Sequence, residues 1–305
     1  MERIQHAIAK ARAEREARIG ALTGAVPAAV GQQGSAAFGI AQPQGGPQGA
    51  PDGAAPGDMV ASSGQASVDA AWDALPSLRI SNRQAVRNRI VALAGGPGAV
   101  EVDGIRTRLL QQLKARGARS VAITSPGPGC GKSTVTLNLG FSLGRQPDQR
   151  TIVADVDLRQ PQMARALGTK ERHSFGQVLD GSAPFADNAL RHGSNLAFAS
   201  NHGPIRNPAE LLQSTVAERA LDDIRERYDP TVMLFDLPPL LVNDDAMAFL
   251  GHVDCALIVA AAEKTTVKEI DRCERDVASQ TFVLGVILNR CRYMERSDSY
   301  NSRYA

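Results

Sequence analysis

The 305-residue chain is poor in aromatic residues, at 4%, and holds only four cysteines and five histidines. Cys130, Cys255, Cys273 and Cys291 stand far apart, with no C-x-x-C pair and no zinc-finger spacing, which reads as reduced cytosolic thiols. The histidines form no H-x-x-x-H or H-E-x-x-H pattern, so a protein-ligated zinc site is not expected. Charge of one sign is also lacking. Thirty-four basic against 32 acidic residues leave +2, so no global field draws the chain to nucleic acid or to an anionic membrane. Any anion site must be local. No apolar run nears the roughly 18 residues of a membrane span, and the opening "MERIQHAIAKARAERE" is too charged for a secretory signal. No direct membrane insertion is expected. The location expected is cytoplasmic, with recruitment to the inner face of the membrane made through a partner.

What is present divides the chain into four parts. Residues 1–19 carry Ile4, Ala7, Ile8 and Ala11 at helical spacing and read as a short helix, marginal in water by itself, either a docking element or a frayed, solvated end. Residues 20–78 turn to Ala, Gly, Pro and Gln, as in "FGIAQPQGGPQGAPDGAAPGD", and read as a disordered linker, because they cannot bury enough apolar surface to offset the entropy of ordering. Over residues 79–289, six short apolar runs at 120–125, 150–157, 195–200, 231–238, 254–262 and 282–289 alternate with helical stretches such as "NPAELLQSTVAERALDDIRERY". The pattern predicts an α/β fold, a mostly parallel central sheet with helices on both faces. Residues 290–305 form a polar tail that holds three of the four tyrosines, Tyr293, Tyr300 and Tyr304, with no apolar periodicity to bury them.

Directly after the first run comes "SPGPGCGKSTVTLNLGFSL", a glycine-rich loop opening into a helix. Gly127, Gly129 and Gly131 let backbone N–H groups converge on phosphate oxygens. Lys132 can reach the β and γ phosphates, and Ser133 offers a hydroxyl to Mg²⁺. The pattern G-x-x-x-x-G-K-[ST] departs in one place, because Pro126 stands where it has its first glycine. Cys130 lies inside the loop at a helix N-terminus, a setting that lowers thiol pKa values, so it reads either as a redox switch or as a tolerated small residue. "IVADVDLRQP" places Asp155 and Asp157 two apart at a strand's carboxyl end, able to face one metal and phosphate site. "VMLFDLPPLLVNDDA" stops its apolar run at Asp236, a position suited to Mg²⁺. Asp244 and Asp245 are expected to cap the helix that follows.

"PGCGKST", "IVADVDLR" and "VMLFDLPP" resemble the Walker A, A′ and B motifs of the bacterial tyrosine kinases (BY-kinases) of capsule and exopolysaccharide export. The likeness covers residues 79–305 and includes "NRI" at 88–90 and "DGIRT" at 103–107. It implies a P-loop NTPase fold and an ATP-dependent protein-tyrosine autokinase with Mg²⁺. Gly127, Pro128, Gly129, Cys130, Gly131, Lys132, Ser133 and Thr134 would surround the phosphates, and Asn289 would contact the adenine. Ser133, Asp155 and Asp236 would lie near the metal. Lys132 and Asp157 would be catalytic, Asp157 as acceptor of the tyrosine proton. Tyr293, Tyr300 and Tyr304 would receive phosphate. A membrane polysaccharide co-polymerase of the chain-length-determinant type would be the activating partner, with self-association and no nucleic acid. The E-x-x-R-x-x-R element of ring assembly is not legible, since Val100 and Asp103 occupy its first two positions. Two other readings stand beside this one. One is an ATP-binding scaffold for a co-polymerase with little kinase activity. The other is a partitioning ATPase of the ParA and MinD kind, although Gly127 stands where those proteins carry a signature lysine.

Overall fold

Unbroken runs of small and β-branched apolar residues are buried along their whole length in β1 (Ser120–Thr124), β2 (Thr151–Asp155), β5 (Val232–Asp236) and β6 (Cys255–Ala261). With β3 (Ala189–His192), β4 (Leu196–Ala199) and β7 (Phe282–Asn289) they form one sheet in the order β3-β4-β2-β5-β1-β6-β7. Every pairing is parallel except β3 against β4. The structure, a computed structural model, describes residues 66–96, 98–169 and 172–291. The expected helix at 1–19, the linker up to residue 65, and Tyr293, Tyr300 and Tyr304 lie outside them.

Successive residues of the central strands serve opposite faces, as a pleated strand requires. Ala122, Ala154, Phe235 and Ile258 join one hydrophobic cluster, and Val121, Ile123, Val153 and Leu234 join the other. The first face is covered by α10 (Thr215–Tyr228), which buries Ala217, Leu221, Ile224 and Tyr228 at helical spacing. On the second lies α5 (Lys132–Gly144), buried from Thr136 to Leu143, with α4 (Ala99–Arg116) packed against it through Leu109 and Leu113. Asp103 and Arg106 of α4 turn inward. Asp103 accepts from Ser142 Oγ at 2.6 Å and pairs with Arg145 and Arg106, which ties α4 to α5.

The linker boundary at residue 78 is corrected. Residues 66–73 are helical, and Val68, Ala71, Trp72 and Leu75 recur at i, i+3, i+4 and i+7 and pack on the core. Trp72 is 2% exposed, and its indole N–H donates to Tyr228 O at 2.7 Å. Ser77 bridges to Arg191 of β3 in parallel, so residues 76–78 extend the sheet beyond that strand. The Ala, Gly and Pro around this short stripe hid it. The helix expected over 207–228 divides into α9 (Pro208–Leu212) and α10, because the Ser214 hydroxyl accepts from Ala217 N and restarts the helix. Among the described residues no helix is long and apolar enough to cross a membrane.

β1 lies between β5 and β6. The chain leaves it on one side for β2 and β5 and on the other for β6 and β7. A crevice opens at the carboxyl ends where the order reverses, the usual ligand position in open parallel sheets.

Candidate active site

Three segments meet at that crevice. The loop after β1 runs from Ser125 to Gly131 and ends in α5, with Lys132 in the first turn and Ser133 and Thr134 following. Its start is anchored by Leu240 N donating to Ser125 O (2.8 Å) and Leu241 N to Pro126 O (3.2 Å), so the chain beyond β5 steadies the place where a glycine was absent. Gly129 and Gly131 have φ of +78° and +92°, the left-handed region that side chains disfavour. Cys130 is 2% exposed, with Sγ 3.7 Å from Thr265 Oγ1. That burial removes the accessibility a redox switch needs and leaves the small-residue reading.

The strand register brings the carboxylates together. Asp155, last of β2, pairs directly with Asp236, last of β5. Both are fully buried, and Asp157 is 6% exposed. Lys132 Nζ donates to Asp157 Oδ2 at 2.7 Å and lies 3.9 Å from Asp236 Oδ1. Asp155 accepts from Asp157 N and Met163 N, both at 3.2 Å. Asp236 Oδ1 accepts from Thr136 Oγ1 at 3.4 Å, while Oδ2 is buried without a partner. Burial pushes the Asp155 carboxyl well above the usual range, and the neighbouring Asp236 adds to the push. Asp236 is raised by burial against the pull of Lys132 and of hydrogen bonds from Ser133 and Thr136. Burial works to lower the Lys132 pKa, but Asp236, Asp157 and Asp155 outweigh it, and the ammonium is held above its ordinary value.

These groups fit a hard divalent cation. Among the described residues no group of three or more His, Cys, Asp and Glu is arranged to hold a metal unaided. Asp236 nevertheless has an orphaned buried oxygen, Asp155 lies beside it in register, and burial raises both carboxyls despite the pull of Lys132. Mg²⁺ takes one or two carboxylates and completes its shell with phosphate oxygens and water, which suits this half-shell with the Ser133 hydroxyl.

Asn289, last of β7, reaches the phosphate loop itself: its Nδ2 donates to Cys130 O at 2.9 Å. Two contacts escaped the sequence reading. Lys264 Nζ, from the turn after β6, donates to Pro128 O at 2.7 Å. Arg159 Nε and Nη2 grip Asp245 at 2.5 and 2.9 Å. This corrects the capping role expected of the Asp244–Asp245 pair. Asp244 occupies the N-cap of α11 (Asp245–Leu250) without a side-chain cap bond, and Asp245, 1% exposed, serves Arg159 instead. A buried carboxylate needs a cationic partner more than a helix end needs a cap.

A family model described as a ParA, NUBPL iron-transfer P-loop NTPase matches residues 117–303, more than half of the chain. The chain is 27% identical over 216 residues to a putative tyrosine-protein kinase, AmsA, of Erwinia amylovora, covering 69% of this chain but 29% of that one. It is 28% identical to the tyrosine-protein kinase YwqD of Bacillus subtilis, covering 64% of this chain and 81% of that one. The solved kinase domain of the Escherichia coli tyrosine kinase ETK superposes with a TM-score of 0.60 at 25% identity, over 69% of this chain and 84% of that one. The chain thus spans less than a third of AmsA and most of YwqD.

Proposed function

We propose that this chain, which belongs to the ParA-type family of P-loop NTPases, is an ATP-dependent protein-tyrosine autokinase acting on its own tail. The observation that carries the reading is Lys132, the phosphate-loop lysine, bonded to Asp157 among three buried carboxylates at the crevice. The kinases among its relatives support it. Iron transfer, named in the family description, draws no support from the thiols: Cys130, Cys255 and Cys273 are buried, Cys291 is exposed, and among the described residues no three His, Cys, Asp or Glu side chains group to hold a metal.

In this mechanism MgATP would supply the phosphoryl group and the metal charge that the half-shell lacks. Gly127, Pro128, Gly129, Cys130, Gly131, Ser133 and Thr134 would line the phosphates, with Asp155, Asp236 and Ser133 on the metal side. Lys132 holds Asp157 Oδ2 in the free protein. When the ammonium turns to phosphate, that oxygen becomes free to take the tyrosine proton, so the base is masked until nucleotide is present. The tail can deliver the hydroxyl. Fifteen residues from Asn289 to Tyr304 span about 50 Å when extended, against a radius of gyration near 17 Å for a domain of this size. Transfer between copies is therefore within reach. A membrane polysaccharide co-polymerase would activate the kinase and bring it to the membrane.

The test is phosphate counting by intact mass and phosphotyrosine detection, on protein incubated with MgATP and its co-polymerase partner. Changing Tyr293, Tyr300 and Tyr304 to phenylalanine is expected to remove the signal. Phosphate that persists unchanged would overturn the tail as acceptor. Its absence from the wild-type chain would favour the ATP-binding scaffold.

A further inference from the structure

The phosphate loop touches two side chains from the far end of the chain. Lys264 Nζ donates to Pro128 O at 2.7 Å, and Asn289 Nδ2 donates to Cys130 O at 2.9 Å. Both donors grip carbonyls, not N–H groups, and the carbonyls are two residues apart. A trans peptide is planar, so its C=O and N–H point in opposite directions. Holding Pro128 O therefore aims the N–H of Gly129 the other way, and holding Cys130 O does the same for Gly131. Among the described residues neither amide has an acceptor within the protein. A Cβ at Gly129 would stand 3.3 Å from Lys264 Nζ, and one at Gly131 would stand 2.3 Å from Asn289 Nδ2. Glycine thus gives the loop its left-handed turns and also leaves room for the two donors.

We propose that Lys264 is a positioning residue which, with Asn289, clamps alternate peptide planes of the phosphate loop so that the Gly129 and Gly131 amides are set for an anion before it arrives. This rests on the nucleotide reading of the site. Preorganised donors avoid the cost of ordering at the moment of binding. The hydrogen bond the structure gives the Lys264 ammonium goes to the loop, at Pro128 O, and a ligand contact by its remaining N–H groups is the alternative that the test separates. Asn289 acquires a role here that does not depend on any contact with a base.

Titration calorimetry with MgATP and with inorganic tripolyphosphate, which has no base, tests the clamp on the full chain. Losing one charged hydrogen bond to the loop is expected to weaken both ligands about tenfold in Lys264→Met. Lys264→Arg, which keeps a donor, should restore most of it. The ¹⁵N–¹H resonance of Gly129 in the nucleotide-free protein should shift in Lys264→Met, with the melting temperature unchanged. Wild-type affinity in Lys264→Met overturns the clamp; if Lys132→Met has meanwhile lost binding, the nucleotide site stands without it. Weakened affinity with an unmoved Gly129 amide also overturns it, since the lysine would then be touching the ligand. Tripolyphosphate and ATP binding that survives both Lys264→Met and Lys132→Met would instead remove the nucleotide reading.

Discussion

Lys132→Met, the natural substitution for silencing a phosphate loop, is expected to weaken the fold as well as the site. At an effective dielectric near 20, the attraction of Lys132 Nζ for Asp157 Oδ2 at 2.7 Å is about 6 kcal/mol, and that for Asp236 Oδ1 at 3.9 Å about 4 kcal/mol. Relief of the lysine's own desolvation returns several of these. The net loss expected for leaving buried carboxylates without their cation is about 3 to 5 kcal/mol, a large share of the roughly 5 to 15 kcal/mol of a typical domain. Its pH dependence follows from the carboxyls. Asp155 and Asp236 already have folded pKa values above the unfolded one of 3.8, and losing Lys132 raises them further. A carboxyl raised in the folded state costs stability above that folded value, and the cost disappears as pH falls toward the unfolded one. Lys132 stays charged well past neutrality, so the pH dependence comes from the carboxyls and not from the lysine's own titration. Urea unfolding at pH 8 and at pH 5.5, followed through Trp72, the single and buried tryptophan, should show a deficit that is larger at pH 8. Added Mg²⁺ should recover part of it. Equal stability of mutant and wild type at pH 8 would refute the reasoning and mean that the carboxylates are neutralised by some other route.

Asp155→Asn should raise the melting temperature of the nucleotide-free protein at neutral pH while weakening Mg²⁺-dependent ATP binding, because the buried charge is costly until a cation arrives. By the same sign argument the gain should shrink toward pH 4, and calorimetry across pH checks both. Trp72→Ala should cost about 3 to 5 kcal/mol through the lost ring and the cavity it leaves. Removing residues 1–75 should cost at least as much, since Val68, Ala71 and Leu75 leave the core together with Trp72.

The parts of the molecule that could be read in advance are those whose signal is local. Six of the seven strands announce themselves as continuous apolar runs; Asp155, Asp157 and Asp236 sit at the ends of such runs, where a parallel sheet places ligands, and Lys132 follows the glycine loop after the first. β3 did not, because four residues, "ALRH", acquire strand geometry only from their antiparallel partner β4. The helix at 66–73 hid for a related reason: its stripe is real, but one tryptophan and a valine among alanines look like linker until Tyr228 is placed 156 residues away. The pairs Lys264–Pro128 and Arg159–Asp245 join positions 136 and 86 residues apart, and nothing near either partner marks it. Asn289 was singled out, yet its bond to Cys130 was not foreseen, since a strand's end does not say which loop it will meet.

The clamp has a consequence for synthesis. Cys130 and Asn289 are 159 residues apart, and at about 5 to 20 residues per second the ribosome needs on the order of 8 to 30 s to go from one to the other. For that interval the glycine loop exists without the side chains that set its peptide planes, and β6 exists without its outer neighbour. The loop is therefore held at both carbonyls only once β7, the last strand of the sheet, has been made. A nascent chain that lacks β7 has its phosphate loop without the bond from Asn289.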